Sequence, residues 1–119
     1  MSRKVLVMED AVFIREIEKR FLRNTDCEIV GETNSETEGL KIFKSKKPDL
    51  VILDLHLAEG SGLSALKGLR EINPDAKILV VTSYNEELEQ NKELRSQVSA
   101  VLTKPFTEEE FTSAINSLF

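Results

Sequence analysis

Five polar residues stand where short apolar runs of the sequence end, and together they suit chemistry on a metal ion and an anion. Glu9 and Asp10 follow the first run, Asp54 ends the third, Thr82 follows the fourth and Lys104 comes after the fifth. Carboxylate oxygens are hard ligands that suit Mg²⁺. A hydroxyl and an ammonium group suit phosphoryl oxygens, and a carboxylate is a known nucleophile. The set predicts a site at which Asp54 accepts a phosphoryl group beside Mg²⁺.

Taken singly, each of these residues also has a structural explanation. Glu9 and Asp10 would complement the dipole at a helix N-terminus. Asp54 would equally serve as a turn residue before a glycine-containing loop. Thr82 and Lys104 carry almost no information alone. Their joint occurrence at four strand ends is what favours a site.

Three carboxylates in one crevice would repel one another. Two unit charges about 4 Å apart interact by roughly 4 kcal/mol at an effective dielectric constant of about 20. Either some of the carboxyl groups hold protons with raised pKa values, or a cation lies among them. The residues alone leave both explanations open.

Five short apolar runs predict the strands that bring these residues together. They are Lys4–Met8, Glu28–Val30 with its flanks, Leu50–Leu53, Lys77–Val81 and Ala100–Leu102. Three of the runs are apolar at consecutive positions, which is typical of strands covered on both faces of a parallel sheet.

Helix-period segments fill the gaps between the runs. Phe13, Ile17 and Phe21 recur every four residues and predict the inward stripe of a first helix over roughly Ala11–Arg23. Other helices are indicated by capping residues and apolar spacing: Ser35 with Glu38, then Leu63, Leu66 and Leu69 after Ser61, and finally Thr107 with Glu110. A fourth segment, roughly 86–97, has little apolar surface, which is typical of a solvated helix or of one that a partner completes.

This alternation predicts one three-layer, doubly wound α/β domain over residues 1–119. Its five-stranded parallel sheet is expected in the flavodoxin-like order 2-1-3-4-5, with the switch point between strands 1 and 3. Carboxyl ends of parallel strands meet at one edge of a sheet. Glu9, Asp10 and Asp54 are therefore expected to converge there, with Thr82 and Lys104 beside them.

Composition excludes several classes of protein. The 119-residue chain has a net charge of −5, which argues against direct nucleic-acid binding. Its apolar runs are too short for a membrane span or a signal peptide. The single cysteine, Cys27, excludes an internal disulfide and favours a reducing compartment, so a cytoplasmic location is expected.

The segments around these residues resemble the receiver domain of two-component response regulators, the chemotaxis regulators among them. They are VLVMED (5–10), PDLVILD (48–54), GSGL (60–63), VVTS (80–83) and KPF (104–106). The resemblance implies a phosphorylation switch rather than an enzyme. Asp54 would accept a phosphoryl group from a sensor histidine kinase or a phosphotransfer protein, with only self-phosphorylation and self-dephosphorylation as activities.

The resemblance also implies the ligands of the metal. Asp10 and Asp54 would bind Mg²⁺ directly, Glu9 would act through a water, and the backbone carbonyl of His56 would complete the protein ligands. Thr82 and Lys104 would hold the phosphoryl oxygens.

Two further features follow from the same resemblance. The peptide bond between Lys104 and Pro105 is expected to be cis, which costs little before proline. Phosphorylation would alter the face made by helix 4, strand 5 and helix 5, which is decorated by Lys92, Glu93, Arg95, Ser99 and Thr103. The output partner is not identified by the sequence.

The chain departs from the family pattern at three places. Val101 stands where an aromatic residue usually swings inward on phosphorylation, with Tyr84 as a candidate substitute. Ala58 stands where proline is common, so the loop after Asp54 is expected to be less constrained. His56 and Tyr84 occupy the positions that tune the lifetime of the acyl phosphate.

Three alternatives remain. A receiver-like module that binds proteins without phosphorylation is favoured by Val101 and opposed by the intact five-residue site. A flavin-nucleotide carrier would need a phosphate-binding loop where Glu9 and Asp10 would repel phosphate. A hydrolase with an aspartate nucleophile would place that residue after strand 1. Whether the domain stands alone or belongs to a longer protein is open.

Overall fold

The computed structural model describes residues 2–83 and 92–119. Its strands are β1 (Arg3–Met8), β2 (Cys27–Thr33), β3 (Leu50–Asp54), β4 (Lys77–Thr82) and β5 (Ala100–Thr103). Its helices within those residues are α1 (Val12–Leu22), α2 (Glu36–Lys46), α3 (Gly62–Ile72), α4 (Lys92–Ser96) and α5 (Glu108–Asn116). None of these helices has the length and apolar character needed to cross a membrane.

The strands form one parallel sheet in the order β2-β1-β3-β4-β5, which confirms the predicted topology. All residues of β3 are buried, as are the last four of β1 and the last five of β4. Alternate side chains of a strand point to opposite faces of the sheet. Leu6 and Met8 therefore pack with α2 and α3, whereas Val5 and Val7 pack with α1 and α5.

Hydroxyl side chains begin three of the helices, as predicted. Ser35 accepts a hydrogen bond from the Glu38 amide, and Ser61 accepts from two amides of α3. Thr107 and Glu110 form a complete capping box at the start of α5. Such caps typically contribute about 1 kcal/mol each, because they satisfy amides that have no partner inside the helix.

The register predicted for α1 is confirmed at its end and wrong at its start. Ile17 is half-buried, and Phe21 packs with the apolar cluster on the α1–α5 side of the sheet. Phe13 was expected to face the sheet, but 75% of its surface is exposed. The helix turns Glu18 and Leu22 inward instead, with half-buried Ile14 one turn before them. The apolar pattern misleads here because an acidic residue occupies the central inward position of the helix.

The predicted fourth helix lies partly outside the described residues, which resume at Lys92. The described part forms α4, Lys92–Ser96. Arg70 of α3 connects to the segment that follows, because its guanidinium donates hydrogen bonds to the Gln97 carbonyl (2.7 Å) and the Ser99 hydroxyl (3.3 Å). The same guanidinium also bonds the carbonyls of Pro74 and Ala76.

Candidate functional site

Glu9 lies at the carboxyl end of β1 with only 1% of its surface exposed. Its amide donates a hydrogen bond to the Thr33 carbonyl of β2 at 3.0 Å, which extends the sheet pairing by one residue. The side chain turns back toward the chain, where Oε2 accepts from the Ala11 amide at 3.1 Å. The carboxylate is therefore fixed between the sheet and the start of α1.

Asp54 ends the neighbouring strand β3 and is 4% exposed. Its Oδ1 accepts a hydrogen bond from the His56 amide at 3.0 Å, so one carboxylate oxygen is oriented by the backbone of the next loop. The other oxygen, Oδ2, lies 3.4 Å from the Lys104 ammonium. The side chain of His56 itself is exposed.

Lys104 joins the two acids. Its Nζ lies 3.0 Å from Oε1 and 3.1 Å from Oε2 of Glu9, in addition to its contact with Asp54. One ammonium group therefore bridges carboxylates from two neighbouring strands. The sequence separates Lys104 from Glu9 by 95 residues, and the sheet brings them together.

The backbone after β5 holds Lys104 in place. Its amide donates to the Thr82 carbonyl at 2.8 Å, and the peptide bond to Pro105 is cis, as expected. The ring of Phe106 then stacks on Phe111 of α5 with 5.4 Å between centroids and meets Phe21 of α1 edge-on at 6.1 Å. This aromatic cluster anchors the loop that carries the lysine.

The site holds more negative than positive charge. The pKa of Glu9 is raised from 4.5 to about 7, first by burial and then by the neighbouring Asp54 carboxyl, while Lys104 opposes the shift. A carboxyl in this position keeps its proton more readily because its anion is poorly solvated and faces a second acid. Both ways of relieving the repulsion between the acids therefore apply at this site. The carboxyl of Glu9 tends to keep its proton, and a bound cation would reduce the same repulsion.

Asp10 follows Glu9 and is exposed. Within residues 2–83 and 92–119, the acidic, histidine and cysteine side chains form no group of three or more arranged to hold a metal ion. The structure therefore brings Glu9 and Asp54 together, with Lys104 between them. The donor types fit Mg²⁺, since hard carboxylate oxygens at the site carry charge that the single ammonium only partly offsets.

The remaining residues of interest lie around this group. Thr82 ends β4 with no exposed surface and pairs in register with Thr103 of β5. Val101 is half-buried against the apolar cluster on the α2–α3 side of the sheet. Tyr84, the candidate substitute for the missing aromatic switch residue, lies outside the described residues.

Comparison with known proteins identifies the family. The family model of the response regulator receiver domain matches residues 5–116. The chain belongs to the response regulator receiver family. It is 28% identical over 118 residues to the chemotaxis protein CheY of Thermotoga maritima, covering 99% of this chain and 98% of that protein.

Solved structures agree with this assignment. A CheY-like response regulator receiver domain from Methylobacillus flagellatus has a TM-score of 0.87 at 24% identity, covering 100% of both chains. The receiver domain of AraT, a response regulator from Geobacillus stearothermophilus, has a TM-score of 0.86 at 27% identity, covering 99% of this chain and 93% of that one. The solved structures agree on the fold, and the two-component signalling class follows from the family model.

In this receiver domain the loop after Asp54 is held by carboxylates, although Ala58 replaces the common proline. Glu59 accepts hydrogen bonds from the hydroxyls of Ser35 and Thr37, and these bonds lower its pKa. The expected loss of constraint is therefore offset by side-chain contacts with the start of α2. The sequence contains no spacing signal for this contact, because the partners are more than 20 residues apart.

A second carboxylate makes a parallel connection. Glu36 of α2 accepts from the Ser61 amide at 2.9 Å and from the Ser64 hydroxyl at 2.6 Å. Gly60 lies between these contacts with a φ of +87°, a conformation that L side chains rarely adopt. The loop is thus tied to the start of α2 through Glu59 of the loop and Glu36 of the helix.

Gly62 begins α3 against the backbone of the acceptor loop. A Cβ atom at this position would lie 2.3 Å from Leu55 Cα and 2.5 Å from the Asp54 carbonyl oxygen. Since backbone atoms cannot yield as a side chain can, only glycine allows α3 to approach this closely. The position of α3 and that of Asp54 therefore depend on each other.

Sequence reasoning missed one buried acid of this receiver domain. Glu18 of α1 has no exposed surface, and burial raises its pKa from 4.5 to about 8, with the charge of Glu9 adding to the shift. The available signal was its position four residues after Ile14 and four before Leu22. An inward stripe in that register buries a carboxyl on which the charges of Glu9, Asp54 and Lys104 act.

Proposed function

We propose that this receiver domain accepts a phosphoryl group on Asp54, with Mg²⁺ required, from the phosphohistidine of a sensor histidine kinase or a phosphotransfer protein. The observation that supports this most directly is the Lys104 ammonium held 3.0 Å from Glu9 and 3.4 Å from Asp54 at adjoining strand ends. A buried acid next to a fixed cation is a suitable acceptor for an anionic group.

The transfer forms one bond and breaks one. An Asp54 carboxylate oxygen bonds to phosphorus while the phosphorus–nitrogen bond of the donor breaks, and the imidazole leaves with that electron pair. The His56 amide orients Asp54 through Oδ1 at 3.0 Å, so Oδ2 on the Lys104 side is the candidate nucleophile. Holding the acceptor in one orientation lowers the entropic cost of the reaction.

The metal would be held by Asp10 and Asp54 directly, by Glu9 through water and by the backbone carbonyl of His56. When bound, Mg²⁺ supplies positive charge that offsets the negative charge of the acids and of the phosphoryl oxygens. The Lys104 ammonium and the Thr82 hydroxyl would hold phosphoryl oxygens that the metal does not reach. Phosphorylation and self-dephosphorylation are the only activities that this proposal requires.

The output is a change on the face formed by α4, β5 and α5. Lys104 follows β5, so a phosphoryl group that draws its ammonium away from Glu9 would move the backbone at the end of that strand. Lys92, Arg95 and Thr103 are exposed on or near this face, and Glu93 belongs to the same helix as the first two. Ser99 is engaged instead with Arg70 and the Ile78 amide, so we assign it no role in output.

Residues 1–119 constitute one receiver domain in this proposal, acting in the cytoplasm without direct contact with nucleic acid or membrane. A net charge of −5 and the similarity to CheY over nearly the whole chain support it. The partners are a phosphodonor protein and an output protein of the signalling pathway.

The proposal is tested with acetyl phosphate as the phosphodonor and intact-mass measurement as the readout. With Mg²⁺ present we expect one phosphoryl group per chain, and its loss in Asp54→Asn. Asp49→Asn is the matched control, since Asp49 caps the opposite end of the sheet through the Lys4 amide. Absence of the added phosphoryl group in the wild-type protein would favour a module that binds proteins without phosphorylation.

A further inference from the structure

Glu18 is a buried carboxyl group that the proposed transfer does not use. It occupies the sheet-facing side of α1 with no exposed surface, one turn before the buried Leu22. Neither Oε1 nor Oε2 has a hydrogen-bond partner within the part of the chain that the structure describes. A charged carboxylate in such a place would be uncompensated, and this is among the costliest arrangements in a protein interior.

The charged groups that act on Glu18 come from the ends of three strands and from α1 itself. Glu9 lies at the end of β1, Asp54 at the end of β3, Lys104 after β5, and Arg15 is on the same helix. Two of these groups are acids that disfavour ionisation of Glu18, and two are bases that favour it. Arg15 is directed to Glu32, with its Nε 3.6 Å from that carboxylate, so it does not neutralise Glu18 by direct pairing.

We propose that Glu18 is a positioning residue of the acceptor site, whose uncharged carboxyl leaves the Lys104 ammonium to Glu9 and Asp54. This inference rests on the proposed phosphoacceptor function. Lys104 is the cation that the acids of the cluster share, since its ammonium bridges Glu9 and Asp54. An ionised Glu18 would be a further negative charge acting on that ammonium.

Ionisation of Glu18 would impair transfer in two ways. It would draw Lys104 away from the acceptor oxygen, and it would add a negative charge close to the incoming phosphoryl group. Both effects oppose phosphorylation. The extra charge would also attract Mg²⁺, but this does not change the occupancy of the metal site when Mg²⁺ is saturating. The rate at saturating metal therefore reports the combined effect of an ionised Glu18 on Lys104 and on the phosphoryl group.

The first test is the pH profile of Asp54 phosphorylation by acetyl phosphate at saturating Mg²⁺. If only the uncharged form of Glu18 is competent, the wild-type rate should fall about tenfold over the two pH units centred on the pKa of Glu18, which is about 8 without metal and lower beside bound Mg²⁺. Glu18→Gln lacks the Glu18 carboxyl, so its profile should lose this decline and keep only the effect of Glu9, whose pKa is about 7. Glu16→Gln, on the exposed side of the same helix, should retain the wild-type decline.

A second test needs neither metal nor phosphorylation. The carboxyl carbon of Glu18 is followed by nuclear magnetic resonance against pH in the metal-free protein. Lys104→Met should raise the pKa of Glu18 because a cation is lost, and Asp54→Asn should lower it because an anion is lost. Shifts of several tenths of a pH unit in these opposite directions are expected.

The two tests separate failure of this inference from failure of the proposed function. Phosphorylation of Asp54 with the same decline in wild type and Glu18→Gln would overturn the role of Glu18 alone. If no variant is phosphorylated, the proposed function fails, and the carboxyl titration still decides whether Glu18 senses Lys104. Should Lys104→Met not fold, Lys104→Gln removes the same charge, and an unchanged Glu18 pKa in that variant overturns the inference.

Discussion

Replacing Glu18 by leucine should stabilise the protein, and the gain should grow with pH. The folded chain holds the Glu18 proton until the pH reaches about 8, whereas the unfolded chain releases it near 4.5. Between these values unfolding releases a proton, so rising pH favours the unfolded state. The cost of keeping Glu18 rises by about 1.4 kcal/mol per pH unit across this window and levels off above pH 8.

The expected size follows from this difference. Between pH 5 and pH 7 the stability advantage of Glu18→Leu over wild type should grow by roughly 2–3 kcal/mol, since the two titrations differ over nearly that whole interval. Burial of leucine in the apolar layer around Leu22 adds a gain of roughly 1–3 kcal/mol that does not depend on pH. Stability and the proposed role of Glu18 thus oppose each other, as often occurs at functional sites.

The assay is urea denaturation of the metal-free proteins at pH 5, 6, 7 and 8. Far-ultraviolet circular dichroism is the suitable signal, because the chain has no tryptophan. Glu16→Gln serves as the control, since Glu16 lies on the exposed side of α1 and pairs with Lys19 at 3.2 Å. An advantage of Glu18→Leu that does not change with pH would refute the argument, because it would mean that Glu18 titrates alike in both states.

Two further substitutions test what positions the site. Arg70→Met should lower the free energy of unfolding by roughly 3 kcal/mol, because several carbonyls bonded to the guanidinium lose a charged donor; urea denaturation measures it, and a loss below about 1 kcal/mol contradicts that role. Gly62→Ala should destabilise by roughly 1–3 kcal/mol and slow phosphorylation of Asp54, since its Cβ meets backbone at 2.3 Å. Gly68→Ala is the control in the same helix, because its Cβ would meet only the flexible end of Leu40 at 3.1 Å; equal effects of the two alanines would refute the backbone clash.

The fold was predictable because local and global signals agree. Consecutive apolar residues in three strands predicted that both faces of these strands are buried. The alternation of strands with helices predicted the strand order of the sheet. The capping residues Ser35, Ser61 and Thr107 act in the structure as their spacing indicates. Short-range chemistry of this kind depends on neighbours in the chain, so a single sequence contains it.

The inward face of α1 was predictable only in part, since Phe21 packs on the core as its spacing indicates. Apolar spacing pointed to Phe13, whereas the helix buries Glu18 and leaves 75% of the phenylalanine surface exposed. A pattern based on apolarity assigns an acid to solvent, and only the packing of the whole helix against the sheet overrides that assignment. The carboxylate contacts of Glu36 and Glu59, which join α2 to the acceptor loop, were not predictable for a related reason. Each contact joins residues more than 20 positions apart in the chain.

The sequence by itself determined which chemical groups are available and at which strand ends they stand. Glu9, Asp54, Thr82 and Lys104 follow from the order of apolar runs, because a parallel sheet collects its carboxyl ends at one edge. Only the tertiary structure decided how these groups share their charge. Lys104 bridges Glu9 and Asp54, and Glu18 lies buried below them, because folding removes water and makes the ionisation of each group depend on neighbours that are distant in the chain.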